Sequence, residues 1–185
     1  MFPAIFLDRD GVLIENRADY VRNWSQVNIF PEAIEALSNP SLEGYKIVIV
    51  TNQSAVERGI ISINTAVNIN DRLIELIHNQ GGRMDGAFLC PHIPKSNCDC
   101  RKPKPGLILQ AANKLSVDLK RSWMIGDAWS DVQAGQAAGV FGTVLVKTGR
   151  GIEQLSMSQP IGLGDYLICD NLPHALEVVL MKANE

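Results

Sequence analysis

The stretch "AIFLDRDGVL", Ala4 to Leu13, is an apolar run that stops at two aspartates and a glycine. A short unbroken run of Ala, Ile, Phe and Leu reads as a strand buried on both faces of a sheet. Asp8 and Asp10 stand two apart at its end. On an extended backbone both carboxylates project to one side while Arg9 points away, and Gly11 lets the chain turn sharply beside them. Carboxylates so close repel each other, so the pair calls for a cation, a shared proton, or both. Mg²⁺ suits it, being a hard cation that keeps positions open for a substrate phosphate. One carboxylate can then attack phosphorus, while the other protonates the leaving oxygen and later deprotonates water. An EF-hand calcium loop does not fit, because the twelfth position of such a loop lacks its glutamate and the aspartates follow a buried strand.

The same design repeats along the chain. Strands are expected at "AIFLD" (Ala4 to Asp8), "KIVIVT" (Lys46 to Thr51), "GAFLC" (Gly86 to Cys90), "WMIGD" (Trp123 to Asp127), "TVLVK" (Thr143 to Lys147) and "YLICD" (Tyr166 to Asp170). Stretches of helical period lie between them: "PEAIEALSNP", opened by Pro31; "SINTAVNINDRLIELIHNQGG", from a Ser62 cap to Gly81 and Gly82; "PGLILQAANKLSV"; "SDVQAGQAAGV"; and a closing "LPHALEVVLMKA". Strands alternating with helices describe an α/β fold with a mostly parallel sheet. Residues 15–30 read as a loop or flap and residues 149–164 as a surface connection. Polar groups recur at strand ends (Asp8, Thr51, Cys90, Asp127), the edge of an open α/β sheet where ligands bind. Each alone is accounted for equally well as a helix cap.

At 185 residues and 46% hydrophobic composition, the chain suits one domain with one sizeable core. A net charge of −3, with basic residues scattered except at Arg101, Lys102 and Lys104, argues against a nucleic-acid surface. Neither a signal peptide nor a membrane span is legible, so a cytoplasmic location is expected.

Other groups suit phosphoryl chemistry. In "TNQS", Thr51, Asn52, Gln53 and Ser54 offer a hydroxyl and nearby N–H groups to phosphoryl oxygens. In "GDAWSD", Asp127 and Asp131 are four apart, one helical turn, and can face one ion. Lys102 supplies a point charge for the transferring group, and Arg101 a fork for a second anion or for sugar hydroxyls. Asp19, Tyr20 and Trp24 lie in the flap, which serves equally as an ordinary surface loop or as a sugar contact.

Just before the basic cluster, "CPHIPKSNCDC" places Cys90, His92, Cys98 and Cys100 within eleven residues. Three thiolates and an imidazole are the ligand set of a closed, structural Zn²⁺ site. Such a knot would fix a loop containing Pro91, Pro94 and Asn97 and deliver Arg101 and Lys102 to the phosphate edge. Cys169, alone on the last expected strand, reads as a core residue.

Taken in order, the strand-ending "DRDG", the "TNQ", the lysine after the third strand and the "GDxxxD" resemble the haloacid dehalogenase (HAD) superfamily of aspartate-nucleophile phosphatases, over nearly the whole chain. The resemblance implies a three-layer Rossmannoid, HAD-like sheet with helices on both faces and no cap domain. It makes Asp8 the nucleophile, Asp10 the general acid and base, and Thr51 and Lys102 the stabilisers of the phosphoryl group. Mg²⁺ would be held by the Asp8 carboxylate, the Asp10 main-chain carbonyl and Asp127, with Asp131 a further ligand or a supporting group. "TNQSAVERG" and "CPH…CDCRKPKPG" are similar to the family branch that removes the 7-phosphate of D-glycero-D-manno-heptose 1,7-bisphosphate, leaving heptose 1-phosphate for nucleotide-activated heptose and lipopolysaccharide. The histidinol-phosphate phosphatases share "DRDG", the zinc ligands and "RKPK" and remain the alternative. A non-catalytic phosphate-binding module is a reading from another class. Val12, Ala55 and Ala128 depart from the heptose pattern. The expected partner is a small sugar phosphate, with no nucleic acid or membrane, and the expected state a monomer.

Overall fold

The computed structural model of the protein describes residues 1–182; Ala183, the last residue expected in the closing helix, lies outside them. Six strands form one sheet: β1 (Ala4–Leu7), β2 (Lys46–Asn52), β3 (Gly86–Cys90), β4 (Trp123–Gly126), β5 (Gly142–Val146) and β6 (Leu167–Cys169). The helices are α1 (Pro31–Ala36), α2 (Ile63–Asn79), α3 (Gly106–Leu115), α4 (Trp129–Ala138), α5 (Gly151–Ser156) and α6 (Leu172–Lys182). The strand order is β3-β2-β1-β4-β5-β6, and every pairing is parallel where the sequence suggested a mostly parallel sheet.

Alternation along the strands divides the core between the two faces of the sheet. Ile5, Leu7, Ile47 and Ile49 pack on one side with residues of α1, α2 and α6. Ala4, Phe6, Val48 and Val50 pack on the other with Leu107, Ile108 and Ala111 of α3 and Ala134 of α4. Ser62 caps α2 by accepting from the Thr65 N–H, and Gly81, at φ +82°, follows its end.

Two segments differ from their expected form. The connection expected over residues 149–164 contains α5, whose Leu155 packs beside Trp129, Val132 and Leu145. In the flap, Glu15 N donates to Asn28 O and Phe30 N to Leu13 O, so the loop is closed at its root. Trp24 sits in a short 3-10 turn, packs against the core and lies 4.8 Å from the Arg72 guanidinium carbon, a cation–π contact. Among the described residues no helix is long and apolar enough to cross a membrane.

The order 3-2-1-4 places a switch point between β1 and β4, because chain direction away from the centre reverses there. The crevice outside the carboxyl ends of those strands is where open α/β sheets bind ligands. Asp8 follows β1 and Asp127 follows β4.

Candidate active site

Asp8, Asp127 and Asp131 bring carboxylate oxygens within 4.8 Å of one another, and all three side chains are buried. Burial pushes the Asp8 carboxyl up to about 6; Lys102 pulls against it, and Asp131 and Asp10 add to the rise. Burial likewise raises Asp127, with Asp8 adding and Arg150 opposing, and raises Asp131 against the pull of Lys102. Lys102 Nζ is 2.9 Å from Asp8 Oδ1, but off the hydrogen-bonding direction, and no aligned donor among the described residues reaches that oxygen. A buried, crowded set of hard oxygen donors with such an under-satisfied atom fits a divalent cation like Mg²⁺.

Lys102 is itself held on two sides. Its ammonium donates to the Val50 carbonyl at 2.7 Å and pairs with Asp131 Oδ1 at 2.6 Å. Burial works against its charge, but Asp131 and Asp8 outweigh that and raise its pKa. Asp131 Oδ2 accepts the Ala128 N–H, which anchors the start of α4. Asp131 therefore positions Lys102 as well as lying beside the other two carboxylates.

Asp10 does not join that triad, and Arg9 does not point away from it as an extended backbone required. β1 ends at Leu7, and the buried Arg9 side chain folds back to place Nη2 2.9 Å from Asp10 Oδ2 while Nη1 donates to Asn70 of α2. Gln53 Nε2 donates to both Asp10 Oδ2 and Thr51 Oγ1, at 2.8 Å each. The hydroxyl proton of Thr51 thus remains available to a phosphoryl oxygen. Asn52 uses both ends of its amide on the Lys102 main chain: Nδ2 donates to Lys102 O and Oδ1 accepts from Lys102 N, each at 3.1 Å. Expected as a substrate contact, its amide instead clamps Lys102.

Asp127 is held by groups that sequence reasoning missed. Asn16 Nδ2 donates to Oδ2, the Arg150 N–H donates to Oδ2 at 2.8 Å, and Arg150 Nη2 lies 3.3 Å from Oδ1. Gly11, at φ +89°, passes so close that a Cβ there would lie 2.1 Å from Asp127 Oδ2. The pairing of Asn16 with Asp127 spans 111 residues, and no local pattern announces it.

A cavity of about 710 Å³ opens above these groups. Asp8, Asp10, Asn52, Gln53, Ser54, Arg101, Lys102, Asp131 and Tyr20 line it, as do Asn16, Arg17, Arg58 and Arg150, which the sequence did not single out. Asp19 does not: it is exposed and pairs with Arg17 at 3.2 Å and Arg22 at 3.9 Å. Trp24 is likewise absent from the wall, its ring taken up by core packing. Val12, Ala55 and Ala128 are buried and none lines the cavity.

Beside the cavity, Cys90, His92, Cys98 and Cys100 gather their ligand atoms within 4.8 Å. The sulfur pairs are 3.1 to 3.6 Å apart, and His92 Nδ1 is 3.4 Å from Cys100 and 3.5 Å from Cys90. A tetrahedral zinc with Zn–S bonds of about 2.3 Å implies S–S edges of roughly 3.8 Å, so the cluster fits that ion with little adjustment. The loop has a second fastening: a Glu57 carboxylate oxygen accepts from Ile93 N and Ser96 Oγ, and Glu57 N donates to Pro91 O. Arg101 Nη1 donates to His92 O at 2.9 Å.

A family model described as HAD-hydrolase-like matches residues 99–175. The chain is 37% identical over 176 residues to the D-glycero-beta-D-manno-heptose-1,7-bisphosphate 7-phosphatase of Pseudomonas aeruginosa, covering 95% of this chain and 97% of that protein. It is 40% identical over 160 residues to the protein of the same name from Pasteurella multocida, covering 83% and 86%. Among solved structures it is similar to the D,D-heptose 1,7-bisphosphate phosphatase of B. bronchiseptica complexed with magnesium and phosphate, with a TM-score of 0.87, 32% identity and coverage of 97% and 99%.

Proposed function

The chain belongs to the heptose-1,7-bisphosphate 7-phosphatase branch of the HAD-like hydrolases, and from that premise we propose how its own residues carry out the reaction. It is a phosphoric monoester hydrolase that removes the 7-phosphate of D-glycero-D-manno-heptose 1,7-bisphosphate. The relatives are named for the β anomer, and we assign that anomer here. One observation carries the reading: Asp8, Lys102 and Asp131 stand in contact at the switch point, with Asp127 beside them, in a chain related to these enzymes almost end to end.

The Asp8 carboxylate attacks the phosphorus of the 7-phosphate, forming an aspartyl phosphate as the bond to the sugar oxygen breaks. Asp10 gives its proton to that oxygen and then takes one from the water that hydrolyses the aspartyl phosphate, restoring Asp8 and releasing phosphate. Arg9 and Gln53 fix the orientation of the Asp10 carboxylate for both transfers. The Thr51 hydroxyl and the Lys102 ammonium stabilise charge on the phosphoryl oxygens. Gln53 and Ser54 line the approach, and Arg101 and Tyr20 face the substrate's sugar end. Asn52 acts through Lys102, and Asp19 is not retained as a contact.

The Asp8 carboxylate, the Asp10 main-chain carbonyl and Asp127 would hold Mg²⁺, with Asp131 in support. When bound, that ion supplies positive charge that lets a dianionic phosphate approach a carboxylate. Cys90, His92, Cys98 and Cys100 would hold a structural Zn²⁺, with every ligand position filled by protein. Thiolates kept for a metal suit a reducing compartment, so we place the protein in the cytoplasm, as a monomer of one domain.

The test is phosphate release with Mg²⁺ from both anomers of the heptose bisphosphate and from histidinol phosphate. A preference for the β-heptose substrate is expected; a preference for histidinol phosphate would move the protein to the other branch.

A further inference from the structure

Asp10 serves the reaction twice, as acid and then as base, yet its two carboxylate oxygens are not equivalent. Oδ2 accepts from Gln53 Nε2 at 2.8 Å and from Arg9 Nε at 3.2 Å, with Arg9 Nη2 2.9 Å away. Among the described residues Oδ1 has a single hydrogen-bond donor, Arg9 Nη2 at 3.1 Å. A carboxylate oxygen offers about two acceptor sites, so Oδ2 is filled and Oδ1 keeps one free. The Asp10 side chain is 20% exposed and lines the cavity, so that free site is open to a ligand. The proton that Asp10 gives and takes back therefore belongs on Oδ1.

That division of labour depends on the direction of the Arg9 fork. Arg9 and Asp10 are neighbours in the chain, so their contact alone leaves both side chains able to turn together. The third nitrogen, Nη1, donates to Asn70 Oδ1 at 2.9 Å, across 61 residues of sequence. Asn70 is buried in α2, among the helix positions that otherwise turn Ala66, Ile69, Leu73 and Ile77 inward. A polar side chain in such a place destabilises the fold unless it is hydrogen-bonded, and Arg9 supplies the bond. A guanidinium is planar and rigid, so tying Nη1 to a helix that packs on the sheet also sets where Nε and Nη2 point.

We propose that Asn70 is a positioning residue for phosphoryl transfer: acting through the Arg9 fork, it aims Asp10 Oδ1 at the leaving oxygen. The proposal rests on the aspartyl-phosphate reading of this site. In the first step the bond from phosphorus to the sugar oxygen breaks as the Oδ1 proton passes to that oxygen. Asp8 is left phosphorylated and Asp10 ionised, and Oδ1 recovers a proton from the water that hydrolyses the aspartyl phosphate. A sugar alkoxide needs the proton in order to leave, whereas p-nitrophenolate, a weak base, departs without it. Loss of the Asn70 acceptor therefore acts on one leaving group far more than on the other, which a purely structural asparagine would not do.

The experiment measures kcat/KM, which reports the steps up to departure of the leaving group, for D-glycero-D-manno-heptose 1,7-bisphosphate and for p-nitrophenyl phosphate. The proteins are wild type, Asn70→Ala, Asn70→Leu and Asn70→Asp, with thermal unfolding as a check of the fold. The ratio of the sugar value to the nitrophenyl value should fall on the order of 10- to 100-fold in Asn70→Ala, the range for a displaced general acid. Asn70→Leu, close to asparagine in volume, removes the acceptor without opening a cavity and carries the same test should the alanine variant fail to fold. Asn70→Asp keeps an acceptor for Nη1 and should hold the ratio near that of wild type. An unchanged ratio in the alanine and leucine variants, an equal loss on both substrates, or a fall in Asn70→Asp as large as in Asn70→Ala overturns the proposal and leaves the phosphatase reading standing. A wild-type protein that releases no phosphate from the heptose bisphosphate overturns both.

Discussion

Lys102 Nζ lies 2.6 Å from Asp131 Oδ1, and both side chains are almost wholly buried. The Lys102 ammonium is therefore held by a carboxylate on α4, while Val50 O fixes it from β2.

Asp131→Asn should lower kcat by loosening Lys102. It should also destabilise the fold by up to about 3–5 kcal/mol, the range for removing one partner of a buried ion pair. Asp127→Asn should instead raise the Mg²⁺ concentration needed for half-maximal activity far more than Asp131→Asn does. Magnesium titrations of phosphate release, read beside urea unfolding, check this. The opposite ranking would make Asp131 the principal metal ligand and Asp127 the support.

Asp8→Asn should abolish turnover without loss of fold, because the amide cannot attack phosphorus while its shape fills the same space. It also relieves the repulsion among the buried carboxylates, so the metal-free variant should unfold at the same or a higher temperature than wild type. Retained phosphatase activity would refute the aspartyl-phosphate mechanism.

Gly11→Ala tests the approach of the first loop to Asp127. The new Cβ would lie 2.1 Å from Asp127 Oδ2, on a backbone already at φ +89°. Left-handed strain of about 1–2 kcal/mol adds to the displacement of a proposed metal ligand. The melting temperature should fall, and the stabilisation gained on adding Mg²⁺ should shrink; an unchanged Mg²⁺ effect would show that Asp127 tolerates the shift.

Much of this was legible before the fold was known, for a physical reason. Parallel strands buried on both faces must be continuous apolar runs, so β1, β2 and β4 stand out, and the polar residue ending each run marks the ligand edge. The Cys90, His92, Cys98 and Cys100 cluster was legible because its residues are close in sequence. Groups joined only by folding left no such trace: Arg9 with Asn70, and Arg150 and Asn16 with Asp127. Arg9 was misjudged by carrying the alternation of a strand past Leu7, where β1 ends. α5 was missed because six residues, "GIEQLS", are too few to establish a helical period.

The loop from Cys90 to Cys100 has the Glu57 fastening and, as proposed, a zinc ion, and each should fail separately. Cys98→Ser removes one ligand of four and should lose the ion, which metal analysis would detect. The Glu57 carboxylate would still hold Ile93 N and Ser96 Oγ, so the first half of the loop should stay seated on the β2 turn. Asn52 would still clamp the Lys102 main chain from the other side. The disorder should therefore be confined to the segment between Ser96 and Arg101, and catalysis should fall by about tenfold, equivalent to ~1.4 kcal/mol, mainly through KM. Glu57→Ala alone should retain zinc, because the four ligands are untouched, and should cost less activity. Combining it with Cys98→Ser should cost more than the two separate losses together, because each fastening backs up the other. Hydrogen exchange across residues 91–102, measured beside zinc content and KM, separates these cases. A zinc-free protein with unchanged kinetics would show that the knot does not position Arg101.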